Sequence, residues 1–121
     1  MSYTDAQIEA AARAAHEVNR TYCREVMNDD SHLPWKDTHG WARDSAIEGV
    51  RALVKRPETT AAERHHAWRF RVKEAEGWIY GKHKNGEIKI HPCMVPYDQL
   101  PSRQRTKDEL FILVVRAVLG L

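Results

Sequence analysis

Two tryptophans with basic neighbours are the side chains of this sequence best suited to hold a ligand. Trp68 and Trp78 supply flat indole faces, and Arg69, Lys89 and His91 supply cationic groups close by in the chain. Indole faces stack on planar rings, while cationic donors form charge-assisted hydrogen bonds with phosphate oxygens. This composition favours a flat, anionic ligand, although either tryptophan could instead belong to the hydrophobic core.

A metal centre is a competing interpretation of the histidines. His65 and His66 are adjacent, so on a helix they point about 100° apart and cannot easily share one ion with His83 or His91. The sequence contains neither an HExxH motif nor a pair of closely spaced cysteines. We therefore predict that the protein holds no metal and no cofactor.

Catalysis has weak support in this sequence. Cys93 lies two residues after His91, but nothing around it marks a reactive thiol, and a buried cysteine is usually inert. A nucleotide hydrolase would need a general base, and the nearby carboxylates, Glu87 and Asp98, are not paired as an acid–base couple would be. We predict that the protein is not an enzyme and that Cys93 and Cys23 are reduced.

Four helices should position these residues. Each begins with Ser or Thr followed three residues later by Glu or Gln, an arrangement in which both side chains satisfy free amides at a helix start. The pairs are Thr4 and Gln7, Ser45 and Glu48, Thr60 and Glu63, and Thr106 and Glu109. Pro57 should stop the second helix, and the loop 28–41 should be anchored to the core by Trp35 and Trp41.

The third and fourth helices differ in pattern. The third should run to about Glu76, with Val72 on the same side as Trp68, and Gly77 should end it. The fourth is apolar nearly all round, which is typical of a helix buried on more than one side. Its apolar residues are Leu110, Phe111, Leu113, Val114, Val115, Val118 and Leu119.

A β-hairpin is predicted between the third and fourth helices. Asn85-Gly86 is typical of a type I′ turn, which needs positive φ at both central residues. The turn would create two antiparallel strands whose isoleucines, Ile79, Ile88 and Ile90, face the core. The outward side chains would be Trp78, Tyr80, Lys82, Lys89 and His91, with Tyr80 opposite His91.

The overall composition predicts one soluble globular domain over residues 1–121. Charged residues make up 30% of the chain and hydrophobic ones 42%. Residues 1–60 carry a formal charge of −2 and residues 61–121 carry +4, a bias that suits a small anion but is too weak for general nucleic-acid binding. No signal-peptide pattern and no stretch long enough to span a bilayer is present, so we expect a cytoplasmic protein without membrane contact.

Six segments, in order, resemble the RyR domain, a repeat module named after ryanodine receptors. They are AAHEVNRTYC (14–23), SAIEGVRAL (45–53), HHAW (65–68), EGWIYG (76–81), HPCMVPYDQLP (91–101) and KDELF (107–111). The resemblance covers about residues 10–119 and is to the stand-alone prokaryotic or phage form. It implies a mostly helical fold with a small hairpin, in agreement with the elements predicted above.

The resemblance also implies a function. Tandem repeats of the receptors bind ATP and drug-like molecules between aromatic side chains, and prokaryotic members are proposed sensors of nucleotide-derived signals in defence systems. His65 and Trp68 match the receptors' ligand-contacting His-x-x-Trp, and His91 matches the HP motif. His66 stands where the family commonly has Glu. A single repeat would recreate a paired site as a homodimer, with the apolar last helix as the contact.

We therefore predict a mainly α protein, a compact bundle of about four helices with one small two-stranded antiparallel hairpin. It would recognise a nucleotide or nucleotide-derived anion, with the indoles stacking on the base. The predicted ligand-binding residues are His65, Trp68, Arg69, Trp78, Tyr80, Lys89 and His91. An alternative hypothesis is that the same aromatic and basic face docks a partner protein, and a third is a small nucleotide hydrolase.

Overall fold

The structure, a computed structural model, describes residues 2–121 apart from the side chains of residues 71 and 72. Four α-helices dominate it, which confirms the mainly helical prediction. They are α1 (Asp5–Val26), α2 (Gly40–Lys55), α3 (Ala61–Ala67) and α4 (Ser102–Leu119). Two short strands, β1 (Ile79–Tyr80) and β2 (Ile90–His91), lie between α3 and α4 in the sequence.

The chain divides into two compact units. The first comprises the chain up to Thr59 together with Glu109–Leu121, and the second is Thr60–Asp108. Helix α4 therefore begins in the second unit and contributes its larger part to the first. Among the described residues, no helix combines the length and apolar character needed to cross a membrane. A single functional domain over residues 1–121 stays a prediction.

The core of the first unit lies along the apolar face of α1, which packs against α2. Buried residues of α1 recur mainly at three- and four-residue spacing, as one helix face requires. They are Ile8, Ala11, Ala12, Ala15 and Cys23. Val50 and Leu53 of α2 are almost completely buried. Leu113 and Val118 of α4 are instead 58% and 46% exposed, so the apolar character of α4 exceeds its burial.

Two of the four predicted helix starts are confirmed. Thr4 and Thr60 each accept a hydrogen bond from the backbone N–H three residues on, and the Gln or Glu at that position completes a capping box. Ser45 and Thr106 are wrong as caps, because α2 begins at Gly40 and α4 at Ser102. Thr106 lies inside α4, where its hydroxyl donates to the Ser102 carbonyl at 2.9 Å.

The predicted helix ends agree better with the structure. Helix α2 ends at Lys55, two residues before Pro57. Beyond α3 the chain stays helical through a π-helical turn at Trp68–Lys73 and a 3₁₀ turn at Glu74–Glu76. Gly77 then adopts φ +89°, a left-handed conformation that glycine reaches without strain, and ends the helical course as predicted. The expected inward position of Val72 lies outside the described side chains.

Only one of the two loop tryptophans is an anchor. Trp35 is buried, its backbone N–H donates to Oε1 of Glu17 at 3.1 Å, and its ring meets that of His16 edge-on, with ring centroids 5.6 Å apart. Trp41 is 75% exposed. The prediction for Trp41 is wrong because α2 begins one residue before it and turns its side chain to solvent.

The two strands run parallel, so the predicted antiparallel hairpin is wrong. Ile79 pairs with Ile90 and Tyr80 with His91 in parallel register, while Asn85 forms an antiparallel bridge to Ile90. The chain thus reverses twice between β1 and β2, once before Asn85 and once in the turn after it. Two reversals restore the original direction, and β2 therefore runs parallel to β1.

The turn itself differs from the predicted type I′ geometry. Asn85 lies at its base, where its side-chain oxygen accepts hydrogen bonds from the N–H groups of Glu87 and Ile88. Positive φ falls on Lys89, at 56°, and on neither Asn85 nor Gly86. Backbone hydrogen bonds in both directions between Asn85 and Ile90 close a loop of four intervening residues, and the asparagine side chain stabilises its interior.

The predicted sorting of hairpin side chains also fails. Ile79 and Ile88 are 61% and 62% exposed, and Ile90 is half-buried. Strands of two residues are too short for alternation to establish an inner face. Ile90 packs where Gly81 has no side chain, since a Cβ on Gly81 would collide with the Ile90 side chain.

The capping assignment leads to a matched pair of substitutions. Thr60→Ala should lower the free energy of unfolding by about 1 kcal/mol, because the amide of Glu63 loses its acceptor. Ser45→Ala, inside α2, should change it by less than about 0.5 kcal/mol. Urea denaturation of both variants checks this, and equal costs would contradict the helix starts described above.

Candidate ligand site

A continuous set of aromatic rings runs through the second unit. Ring centroids lie 6.0 Å apart for Tyr97 and His65, 5.5 Å for His65 and Trp68, and 5.1 Å for Trp68 and His91. His91 also meets Trp78 at 6.1 Å. We call these five residues the ring cluster. His91 contacts both indoles edge-on, at interplanar angles of 75° and 64°.

Helix α3 and the turn after it position His65 and Trp68. His65 is buried and its Nε2 lies 2.7 Å from the carbonyl oxygen of Val95, which can only accept, so Nε2 carries a proton. Trp68 follows three residues later, close to the same side of the helix. The hydrogen bond to Val95 therefore attaches His65 to the segment that also carries Tyr97.

The π-helical turn brings a cation to the indoles. In an α-helix, residues five apart differ by about 140° around the axis, which would separate Lys73 from Trp68. The wider π turn at Trp68–Lys73 changes that angle. The Nζ of Lys73 lies 4.4 Å from the ring centroid of Trp78 and 5.9 Å from that of Trp68. One ammonium group thus contacts both indoles through cation–π interactions.

His91 is held in its neutral form. Its Nδ1 lies 3.0 Å from the backbone N–H of Cys93, which donates to it, so the imidazole proton is on Nε2. Burial, together with the nearby charges of Lys84, Lys73 and Lys107, lowers the pKa of His91 to about 4. At neutral pH the ring is an uncharged donor.

The surroundings of the cluster are electropositive. Lys73, Lys84 and Lys107 all disfavour a positive charge on His91. Asp108 is a carboxylate that acts on the neighbouring Cys93, and it also stabilises the charged form of the half-buried Arg64. Because Asp108 faces a cation of its own, it offsets only part of the lysine charge.

Three further predicted site residues lie at other positions. Tyr80 is 59% exposed in β1. Lys89 donates from Nζ to the carbonyl of Glu76 at 2.6 Å, so its charge lies at the end of the helical stretch that closes before Gly77. The guanidinium of Arg69 lies 4.6 Å from the ring centroid of Phe70.

Two buried donors of the second unit have no acceptor among the described residues. They are the indole Nε1 of Trp78 and the Nε of Arg69. A buried N–H without an acceptor costs about 1–3 kcal/mol, so groups of this kind are rare. An acceptor oxygen supplied by a ligand would recover that free energy.

The sequence interpretation missed the residues that supply most of the charge. The approach of Lys73 to the two indoles depends on the π-helical turn, which residue spacing does not reveal. Lys84 lies only six residues after Trp78 but was not among the predicted binding residues, and Lys107 is far from both indoles in sequence. Tyr97 was visible only as part of the HPCMVPY motif.

The thiol near the cluster is not activated. Burial raises the pKa of the Cys93 thiol, with the Lys107 and Lys84 charges opposing the rise. The raised pKa leaves Cys93 protonated at neutral pH, and a thiol is a poor nucleophile. The two carboxylates considered as a general base, Glu87 and Asp98, are both exposed to solvent.

Comparison with known families identifies the chain. The RyR domain matches residues 44–113, more than half of the sequence, and the chain therefore belongs to the RyR domain family. The matched segment contains the second unit and the whole ring cluster. No curated protein matches the sequence. The wider extent, about residues 10–119, and the stand-alone prokaryotic or phage form stay predictions.

The neutral state of His91 predicts a pH effect on stability. The folded-state pKa, about 4, is below the ordinary 6.5, so the unfolded chain takes up the proton first as the pH falls. Stability from the neutral ring is present above pH 6.5 and is lost between about pH 6.5 and 4. In the variant His91→Asn, whose amide oxygen can still accept from Cys93, the free energy of unfolding should fall less steeply over this window.

Urea denaturation at several pH values measures this difference. The control is His83→Asn, which alters an exposed histidine. If the free energy of unfolding falls equally steeply for wild type and His91→Asn between pH 6.5 and 4, His91 has the same pKa in the folded and unfolded states and the prediction is wrong.

Proposed function

We propose that this RyR domain binds a nucleotide or nucleotide-derived anion at the ring cluster, without catalysing its conversion. The observation that carries the proposal is the presence of two indoles and three lysines around one neutral imidazole. His91 contacts Trp68 and Trp78, and Lys73, Lys84 and Lys107 act on it electrostatically. A planar base with phosphates matches both parts of this arrangement.

Lys73 would change partners when the ligand binds. Its ammonium group lies over the faces that a base would use for stacking. A base that stacks on Trp68 or Trp78 displaces this cation–π contact, and the flexible lysine stem lets the ammonium group turn to a phosphate instead. The cluster thus exchanges a cation–π interaction worth about 0.5–2 kcal/mol for stacking and an ion pair.

The phosphates would meet several donors of different strength. Lys73, Lys84 and Lys107 provide charge, and the Nε2 proton of His91 provides a neutral hydrogen bond. Arg69 adds a donor that lacks an acceptor in the structure's described residues. Lys89 has further N–H donors but is already bound to the Glu76 carbonyl, so we assign it a smaller share than the sequence predicted.

The proposed biological role is to sense or sequester a signal nucleotide. The resemblance to prokaryotic and phage members favours a place in phage–host defence and a cytoplasmic location. Two-fold self-association through α4 is part of the same proposal, and the exposed Leu113 and Val118 support it. Turnover is not expected, because Cys93 is a protonated thiol and Glu87 and Asp98 are exposed.

Protein recognition is a second candidate function. It is favoured by three large side chains in and beside the strands, Ile79, Tyr80 and Ile88, which are 61%, 59% and 62% exposed. Apolar groups of this size at the surface are common in interfaces with polypeptides. Calorimetry against a nucleotide panel discriminates the two candidates, since saturable binding supports the first and silence across the panel supports the second.

Removal of one indole tests the stacking part of the proposal. Trp68→Ala should weaken nucleotide binding about tenfold or more, because stacking is worth about 1–3 kcal/mol per base. Trp68→Phe should retain part of the affinity, since a smaller ring still stacks. The control is Trp41→Ala, which removes an exposed tryptophan of the first unit. Undiminished binding by a folded Trp68→Ala variant, measured by calorimetry, would exclude this site.

The phosphate part can be tested separately with ATP, ADP, AMP and adenosine. Affinity of the wild type should fall as phosphates are removed, because fewer charges face the lysines. Lys73→Gln should flatten this gradient while adenosine binding stays nearly unchanged. The control is Lys36→Gln, which alters an exposed lysine of the first unit. An undiminished gradient in Lys73→Gln would remove Lys73 from the phosphate site.

A further inference from the structure

Three side chains of different chemistry converge in the first unit, outside the segment that matches the RyR domain. They are the thiol of Cys23, a carboxylate of Asp29 and the imidazole of His32. One ligand atom from each lies within 4.8 Å of the other two. From this geometry we propose a binding site for Zn²⁺, in contrast to the absence of a metal that the sequence patterns predict.

The donor set determines the metal class. Thiolate and imidazole are ligands that Zn²⁺ prefers, and a carboxylate completes many zinc sites. Mg²⁺ and Ca²⁺ bind oxygen donors and would not select a thiolate. Three protein ligands leave one position of a tetrahedral ion for water or another small molecule. The site therefore differs in chemistry from the ring cluster, which suits anions.

The distances are close to those of a tetrahedral zinc centre. Zinc bonds of about 2.0–2.3 Å place neighbouring ligand atoms roughly 3.3–3.6 Å apart. Nε2 of His32 lies 3.6 Å from Oδ2 of Asp29, already at this separation. The three ligand atoms lie within 4.8 Å of one another, so reaching the separation found around zinc requires a movement of only about 1 Å. A side-chain rotation provides a movement of this size.

Backbone geometry brings Asp29 back towards Cys23. The carbonyl of Cys23 accepts hydrogen bonds from the N–H groups of Met27 and Asp29, at 3.1 and 2.9 Å. Asn28 between them adopts φ +51°, which reverses the chain just after α1. This turn fixes Asp29 and then His32 beside the last turn of the helix that carries Cys23.

The carboxylate of Asp29 is oriented by Ser31. Its Oδ1 accepts hydrogen bonds from the backbone N–H of Ser31 at 3.0 Å and from its hydroxyl at 2.6 Å. Its other oxygen, Oδ2, is the one that approaches His32. Hydrogen bonds of this kind hold ligating carboxylates in place at metal sites.

Zinc binding would release a proton. The thiol of Cys23 lies 3.8 Å from Oδ1 of Asn19, its acceptor in the structure. When the S–Zn bond forms, the S–H bond breaks and the proton passes to the solvent. Calorimetry in two buffers of different ionisation enthalpy should therefore detect about one proton released per ion from this thiol.

Titration of the reduced, chelator-treated protein with Zn²⁺ tests the proposal. The wild type should bind about one ion per chain, and Asp29→Asn and His32→Gln should each weaken binding at least about tenfold. Asp29→Asn retains the oxygen that Ser31 contacts, so the turn should stay intact. Matched controls are Asp30→Asn and His39→Gln, which alter exposed neighbours and should bind like the wild type.

Co²⁺ identifies the thiolate directly. The Co²⁺ complex of the wild type should show a thiolate-to-metal charge-transfer absorption that Cys93→Ser retains and Cys23→Ser lacks. Absence of that absorption in the wild type, or equal Zn²⁺ affinity in Asp29→Asn and Asp30→Asn, would show adventitious binding to surface histidines and overturn the proposal. Nucleotide binding at the ring cluster should persist when chelator removes the metal. The zinc proposal and the nucleotide proposal can therefore be contradicted independently of each other.

Discussion

The ring cluster depends on the contacts that the neutral imidazole of His91 makes with its neighbours. Its unprotonated Nδ1 accepts a hydrogen bond from the N–H of Cys93, and its ring packs in a T-shaped arrangement with those of Trp68 and Trp78. A proton on Nδ1 would remove that acceptor and place a positive charge beside three lysines. Burial and these lysines lower the pKa together, so the same charges that suit an anionic ligand also keep the ring uncharged.

The π-helical turn links this electrostatic arrangement to the backbone. A regular α-helix through Trp68–Lys73 would direct Lys73 to a different side of the helix from Trp68. The wider turn places the ammonium group over both indoles, at a cost in backbone hydrogen-bond geometry. π-Helical turns occur often at functional sites, and here the turn supplies the cation that links the aromatic and electropositive parts of the cluster.

The two proposed sites use opposite chemistry in separate units of the chain. The ring cluster of the second unit combines indoles with cations, which suits a flat anion. The Cys23, Asp29 and His32 side chains of the first unit combine a thiol, a carboxylate and an imidazole, which suits a metal cation. Because the RyR domain match begins at residue 44, the second arrangement belongs to a part of the chain that the family match does not describe.

Local patterns in the sequence determined much of the helical structure. The capping boxes at Thr4 and Thr60, and the helix stop at Gly77, depend on residues within one turn of each other, so their spacing was sufficient. The same pattern at Ser45 and Thr106 gave wrong helix starts, because Ser or Thr three residues before Glu also occurs inside helices. Four of the five members of the ring cluster, all except Tyr97, were recognisable by residue type and by resemblance.

Tertiary structure alone decided how distant segments meet. The parallel pairing of β1 and β2 depends on two successive chain reversals, whereas the sequence indicated only the one at Asn85. The approach of Lys73 to both indoles, and of Asp29 and His32 to Cys23, depends on a helix distortion and on a left-handed residue. Backbone angles such as these arise from the balance of packing and hydrogen bonding across the fold, which residue spacing does not encode.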